Sequence, residues 1–250
     1  MAASRSSSHG GRRGPQLSSG VHAIHDFVTF RVARAIRWVP ALLVLTWVAD
    51  RPLQAQESKP QKPMKDDNRV LSTTTLGGQV VIVLPMTQAR IAPEIAADAS
   101  QGPWRGGAVT LAAADSVLTE ILGQRAAAVR WVMPADTRRM AKRAGGMVPP
   151  ADQMGQAVMH PQGLTNIPDP LRASLRTMSS LAGGRYAFIP AMLILTKDSA
   201  GVHAIYSAAM GDPRSGIVLW HTFARGNGTT ADAAVHAAFD MMLPPDPNAP

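Results

Sequence analysis

Residues 216–239 read "GIVLWHTFARGNGTTADAAVHAAF". An apolar run leads into Gly226-x-Gly228-x-x-Ala231, and then into a helix whose stripe is Val235, Ala238, Phe239 and Met242. Strand, glycine pair and helix together have the local shape of a dinucleotide-binding turn. Such a turn opens a fold. It needs a second βα unit and an acidic residue about 20 positions downstream to hold the ribose. Here the chain ends 19 residues after Ala231, and no further strand follows. The glycines are therefore expected to serve a turn into a helix capped by Thr229 or Thr230, with no cofactor bound.

Upstream, "VHAIYSAAM" and "IVLWHTFA" flank "GDPRSG" and form a β-hairpin. An even turn that pairs Asp212 with Ser215 puts His221 opposite Tyr206, and His203 on the other face. "RYAFIPAMLILT" is a third strand in which Pro190 demands a bulge or an edge. Two earlier strands, "QVVIVLP" and "VRWVMP", are short continuous apolar runs suited to burial on both faces.

The helix between them spans about residues 108–125. Leu111, Ala114, Leu118, Ile121 and Leu122 recur at spacings of three and four. "ADTRRMAKRAGG" is a second helix capped near Asp136. "DPLRASLRTMSSLAGG" is a third, with Asp169 as cap, Pro170 at the first position and Leu171, Leu175, Met178 and Ala182 as its buried stripe. Residues 145–168 read as irregular, with one helical turn near 153–159. The order βαβα(α)αβββα implies one α/β (α+β) domain over residues 79–244 with a mixed sheet, in which the early strands lie parallel and the late ones antiparallel.

The front of the chain has another character. Arg31, Arg34 and Arg37 precede an apolar run from Trp38 to Ala49, and "LQA" follows. A dozen residues cannot span a bilayer, so residues 1–55 read as a targeting segment cut after Ala55. The polar stretch before it suggests an over-long start, with Val28 or Val32 as alternative beginnings. Residues 56–78 are polar and Pro/Lys-rich, as in a flexible linker, and 245–250 form a disordered tail. The product is expected in the periplasm or outside the cell.

Charge follows this division. The formal balance is +8, but residues 1–56 hold seven Arg against two Asp, leaving 18 basic and 15 acidic residues in the remainder. A near-neutral product makes no general case for nucleic acid. There is no cysteine, which removes thiol catalysis, Cys-ligated zinc and lipid attachment through an N-terminal cysteine.

No Ser/His/Asp order, paired carboxylates, P-loop or HExxH motif is present, so no catalytic, cofactor or metal residue is assigned. Met154, Met159 and His160 could hold Cu(I) as soft thioether and imidazole ligands, which keeps a periplasmic copper carrier as a minor reading. Arg138, Arg139, Lys142 and Arg143 place positive charge on one broad helix face. Beside them, Met147, Met154 and Met159 are expected to lie exposed on the long Met/Pro-rich loop. Methionine adapts to irregular partners and charge steers an acidic one, so these seven residues are the expected partner-binding surface.

"VVIVLP", "LTEILGQR", "VRWVMP" and "GGRYAFIPAMLIL … AIYSAAMGDPRSGIVLWHTFARG" together resemble a family of envelope-protein domains. It includes the N-terminal domain of the Tol–Pal translocation protein, lipoprotein activators of penicillin-binding proteins and the curli secretion lipoprotein. Asp212, Gly216 and Trp220 match its D-x-x-x-G-x-x-x-W hairpin. The resemblance covers about residues 79–243. It implies an anticodon-binding-like α/β sandwich and a non-enzymatic binding role towards another envelope protein. The chain departs from the pattern in lacking a lipobox cysteine and in the length of 145–168. An enzyme or small-ligand binder with a site built from distant residues is the alternative.

Overall fold

The computed structural model describes residues 69–244. The expected signal, the start of the linker and the tail 245–250 lie outside the described residues. Six strands, β1 (Val80–Val83), β2 (Ala89–Ile91), β3 (Arg130–Val132), β4 (Tyr186–Asp198), β5 (Gly201–Asp212) and β6 (Ile217–Gly228), form one mixed sheet. The path runs β3-β1-β4-β5-β6, and β2 also pairs with β4. β1 is parallel to both β3 and β4, whereas β4, β5 and β6 are antiparallel. The helices are α1 (Pro93–Ala96), α2 (Gly107–Arg125), α3 (Pro134–Arg143), α4 (Leu171–Ala182) and α5 (Ala231–Met242).

The sheet carries a helical layer on each face. Val81, Val83, Phe188 and Tyr206 point to one face and meet Leu118 and Leu122 of α2 and Val235 and Phe239 of α5. Ile82, Leu84, Ala187 and Ile189 point to the other and meet Ala141 of α3, Leu175 and Met178 of α4, and the 145–168 segment. Alternation along β1 thus feeds two cores, and burial on both sides explains its continuous apolar run.

Three-residue β2 and one-turn α1 were not expected from the sequence. Pro190 sits beside a register shift in the central strand β4, so a bulge accommodates it. The helix starts differ from expectation. Met133 precedes α3 without a side-chain cap, Pro134 takes its first turn, and Asp136 lies inside it. Pro170 itself flanks α4, so Asp169 does not cap it. The domain also begins earlier than residue 79, because Leu71 and Leu76 are buried in the α2/α5 core.

The hairpin parity is corrected as well. Asp212 pairs with Ile217, not Ser215, and a bulge at Met210/Gly211 shifts the register. His221 therefore faces Ala209 rather than Tyr206. Along β5, residues 203 and 209 have the same parity, so His203 and His221 share a face but sit far apart along the strands. Among the described residues, no helix is long and apolar enough to cross a membrane.

Candidate interface

Gly226 and Gly228 do not form a loop; both lie within β6. A Cβ at Gly226 would stand 2.1 Å from Ala234 O and 2.2 Å from Ala238 N, and one at Gly228 would stand 2.6 Å from Ala234 N. The pair exists so that the α5 backbone can press directly on the strand. Thr230 caps the helix by accepting from the Ala233 amide at 3.2 Å. Glycine pair and cap are thus consumed by packing.

An α/β sheet commonly holds ligands at the carboxyl ends of parallel strands, where crossovers depart to opposite faces. That point here is the end of β1. α2 leads to β3 across one face, and α3 with α4 leads to β4 across the other. The crevice is crossed by a polar network. Buried Asp115 on α2 accepts from the Met86 amide at 2.8 Å and from Arg138 Nη2 at 2.7 Å. Arg138 also pairs with Asp152 at 2.8 Å. Thr137 Oγ1 donates to Val83 O at 2.8 Å, and Gln156 Nε2 donates to Pro85 O at 3.3 Å. Burial raises the Asp115 carboxyl above its ordinary range, against the Met86 amide and Arg138 that favour its charge. The group is a strut between layers, with its oxygens engaged.

An open groove lies on α3 and α4. A groove of about 420 Å³ is lined by Val132, Met140, Ala144, Met147 and Leu181, with Asp136, Arg139 and Arg143 at its rim. Met147 is 66% exposed and Leu181 47%. Arg139 is tied to Asp136 one turn before it, while Arg143 and Lys142 are exposed.

The seven expected partner residues therefore divide. Arg139, Arg143 and Met147 come together on this groove. Arg138 and Lys142 turn to the opposite flank of α3, beside Val148 and Asp152, so the basic face is split in two. Met154 and Met159 are corrected outright. They are 4% and 0% exposed and form part of the second core, held by short 3-10 turns at Ala151–Gln153 and Gln156–Met159. The His160 ring packs edge-on against Phe223 at 5.5 Å. Sequence reasoning missed Leu181. Its signal was position, since it flanks the buried stripe of α4 and is the one large apolar residue of that helix turned outward.

The family hairpin residues behave as a structural unit. Asp212 Oδ1 accepts from the Arg214 amide at 2.9 Å, and its other oxygen takes Arg185 Nε at 3.2 Å. Gly216 has φ 80°, which favours glycine. A Cβ there would also strike the Arg172 guanidinium, 2.6 Å away. Trp220 is partly buried. Its ring lies 6.1 Å from Phe188, and its Nε1 donates to Arg69 O and Val70 O at 3.2 Å each. It fastens the incoming chain to β6.

No protein-family model matches the chain, and no curated protein matches it either. Among solved structures it is similar to the LpoB C-terminal domain from Salmonella enterica, with TM-score 0.37, 11% identity, and coverage of 61% of this chain and 84% of that one. The LpoB C-terminal domain from Escherichia coli gives 0.36 and 12%, covering 61% and 85%. Lipoprotein GNA1162 from Neisseria meningitidis gives 0.31 and 15%, covering 62% and 83%. Likeness at this level says nothing of a partner or an activity.

Proposed function

We propose that this chain is an exported adaptor domain that binds another protein of the cell envelope and performs no chemistry of its own. The observation that carries this reading is the mainly apolar groove on α3 and α4, with Arg139 and Arg143 in its lining. The place where this kind of sheet offers room for a substrate is crossed by the Asp115–Arg138–Asp152 network. Of the open hollows, the one on α3 and α4 joins exposed apolar side chains to basic ones, a surface suited to a macromolecule. Export is supported by the basic flank, short apolar run and small-residue site before Gln56.

Cross-linking in intact envelopes, followed by mass spectrometry, tests the reading. A small recurrent set of envelope proteins attached to residues 69–244 is expected. Absence of any protein adduct from cells that export the chain overturns it. The mass of the exported form tests the cleavage, and a species that keeps Trp38 to Ala55 overturns that part.

A further inference from the structure

We infer that the α3/α4 groove is the seat of an acidic amphipathic helix contributed by the partner. This deepens the adaptor reading and rests on it. The groove's walls are the flanks of two helices and the Met147 loop, and its floor is apolar. A third helix fits such a space by laying its own side-chain ridge between the two. A volume of about 420 Å³ accepts a few aliphatic side chains. Met147, with its unbranched thioether, can adjust to their shape.

The charge selects the occupant. Among the described residues, Arg143 has no ion-pair partner, and Asp136, the one carboxylate on the rim, is already engaged by Arg139. A helix that buries leucines or similar residues in the floor therefore leaves Arg143 facing outward positions of that helix. Carboxylates there would satisfy it, and lysines would be repelled.

Two other occupants fit less well. A small anion needs donors that converge, whereas Arg139 and Arg143 are spaced along a helix beside an apolar floor. A membrane surface favours a convex apolar face that can sink into it, and this one is concave.

The test places a photoreactive amino acid at position 181 of the full exported chain, with a control at Val109, the exposed residue on α2. Light is applied in intact envelopes and the attached segment is sequenced. The expected result is a protein adduct at position 181 but not at 109. The attached segment should have apolar residues three and four apart with Asp or Glu beside them. In a chain that also carries Arg143→Glu, the adduct yield should fall about tenfold, as expected for reversing a charge that faces its complement. Raising the salt should lower the yield in the unsubstituted chain. Arg143 is exposed, so an unchanged melting midpoint will show that the substituted chain is folded.

A lipid adduct, a neutral or basic attached segment, or a yield indifferent to Arg143→Glu overturns the inference. If position 181 stays unlabelled while general cross-linking still recovers envelope proteins, the groove is wrong and the adaptor reading stands. If neither method recovers a protein, both fall.

Discussion

The two helical layers close the same sheet by different means. On the α5 side, backbone meets backbone. Gly226 and Gly228 remove the side chains that would hold α5 away, and the Tyr206 and Phe239 rings pack at a tilt with centroids 4.5 Å apart. On the α3/α4 side, long side chains fill the space. Met154 and Met159, from a segment rich in proline, pack with Leu175 and Met178 of α4, and an ion network spans the rest. Where α5 meets β6 there is no slack. The second layer reaches burial with flexible side chains and leaves Met147 and Leu181 outside. Rigid closure and an open groove thus occupy opposite faces, and the difference lies in what fills the gap between helix and strand.

Gly226→Ala should be the most damaging single change. A methyl group must displace helix backbone rather than a rotatable side chain, so a loss of about 3 kcal/mol or more is expected. That lowers the thermal midpoint by about 6 °C or more for a domain of this size; a midpoint within a degree of the parent would show that α5 is not pressed on β6. Met159→Ala probes the other layer. With its side chain wholly buried, it should cost about 2–5 kcal/mol in denaturant titration. A negligible cost would return the 145–168 segment to the surface.

Trp220→Ala is expected to cost less than removal of a core tryptophan, about 1–3 kcal/mol, because part of its ring faces solvent. Its specific sign is faster hydrogen exchange at the Leu71 amide, which bonds to Met242 O at 2.8 Å. Exchange that stays slow in the substituted chain would mean Trp220 does not hold the incoming segment.

The smallest effect is titration of His160. Burial first, then Arg90 and His221, lowers its imidazole below the usual 6.5. The unfolded chain then binds more protons than the folded one just below pH 6.5, so this group's stability contribution is present above that value and shrinks on acidification. His203 works in the opposite sense. Its hydrogen bonds to Asn227 and then Asp198 raise it, so its contribution is present below pH 6.5 and lost at higher pH. Comparing His160→Asn with the parent at pH 7.5 and 5.5 isolates His160. The parent should lose more stability between the two, and equal losses would contradict the assignment.

Elements that carry their own period were legible in the sequence. The stripes of α2, α4 and α5 and the apolar runs of β1, β4, β5 and β6 each show which face is buried. What escaped was fixed by contacts between distant segments. β2 has three residues and no pattern of its own, and exists because β4 offers it an edge. Met154 and Met159 lack any helical spacing, so only the position of the loop over the sheet buries them. The place of His221 depended on a single bulged residue in β6, enough to change what faces it. The candidate site was half visible. Arg139, Arg143 and Met147 were chosen from charge and exposure, but the division of the basic face needed the depth to which α3 sinks its own Ala141 and Ala144 into the second core.

The sheet's borders restrict how any other chain can join it. Extended peptides often recognise a domain by adding a strand to a bare edge. At the β6 border the first half is already taken. Ile167 N donates to Gly216 O at 2.7 Å and Val218 N to Thr165 O at 2.9 Å, while the Arg69 amide bonds Thr222 Oγ1 at 3.1 Å. At the far border, β3 has three residues. A newcomer seeking a long ladder of backbone bonds finds little purchase at either end, and the same short or covered borders guard against ribbon-like stacking of copies. Recognition by side chains, through the helices, is what this architecture leaves available.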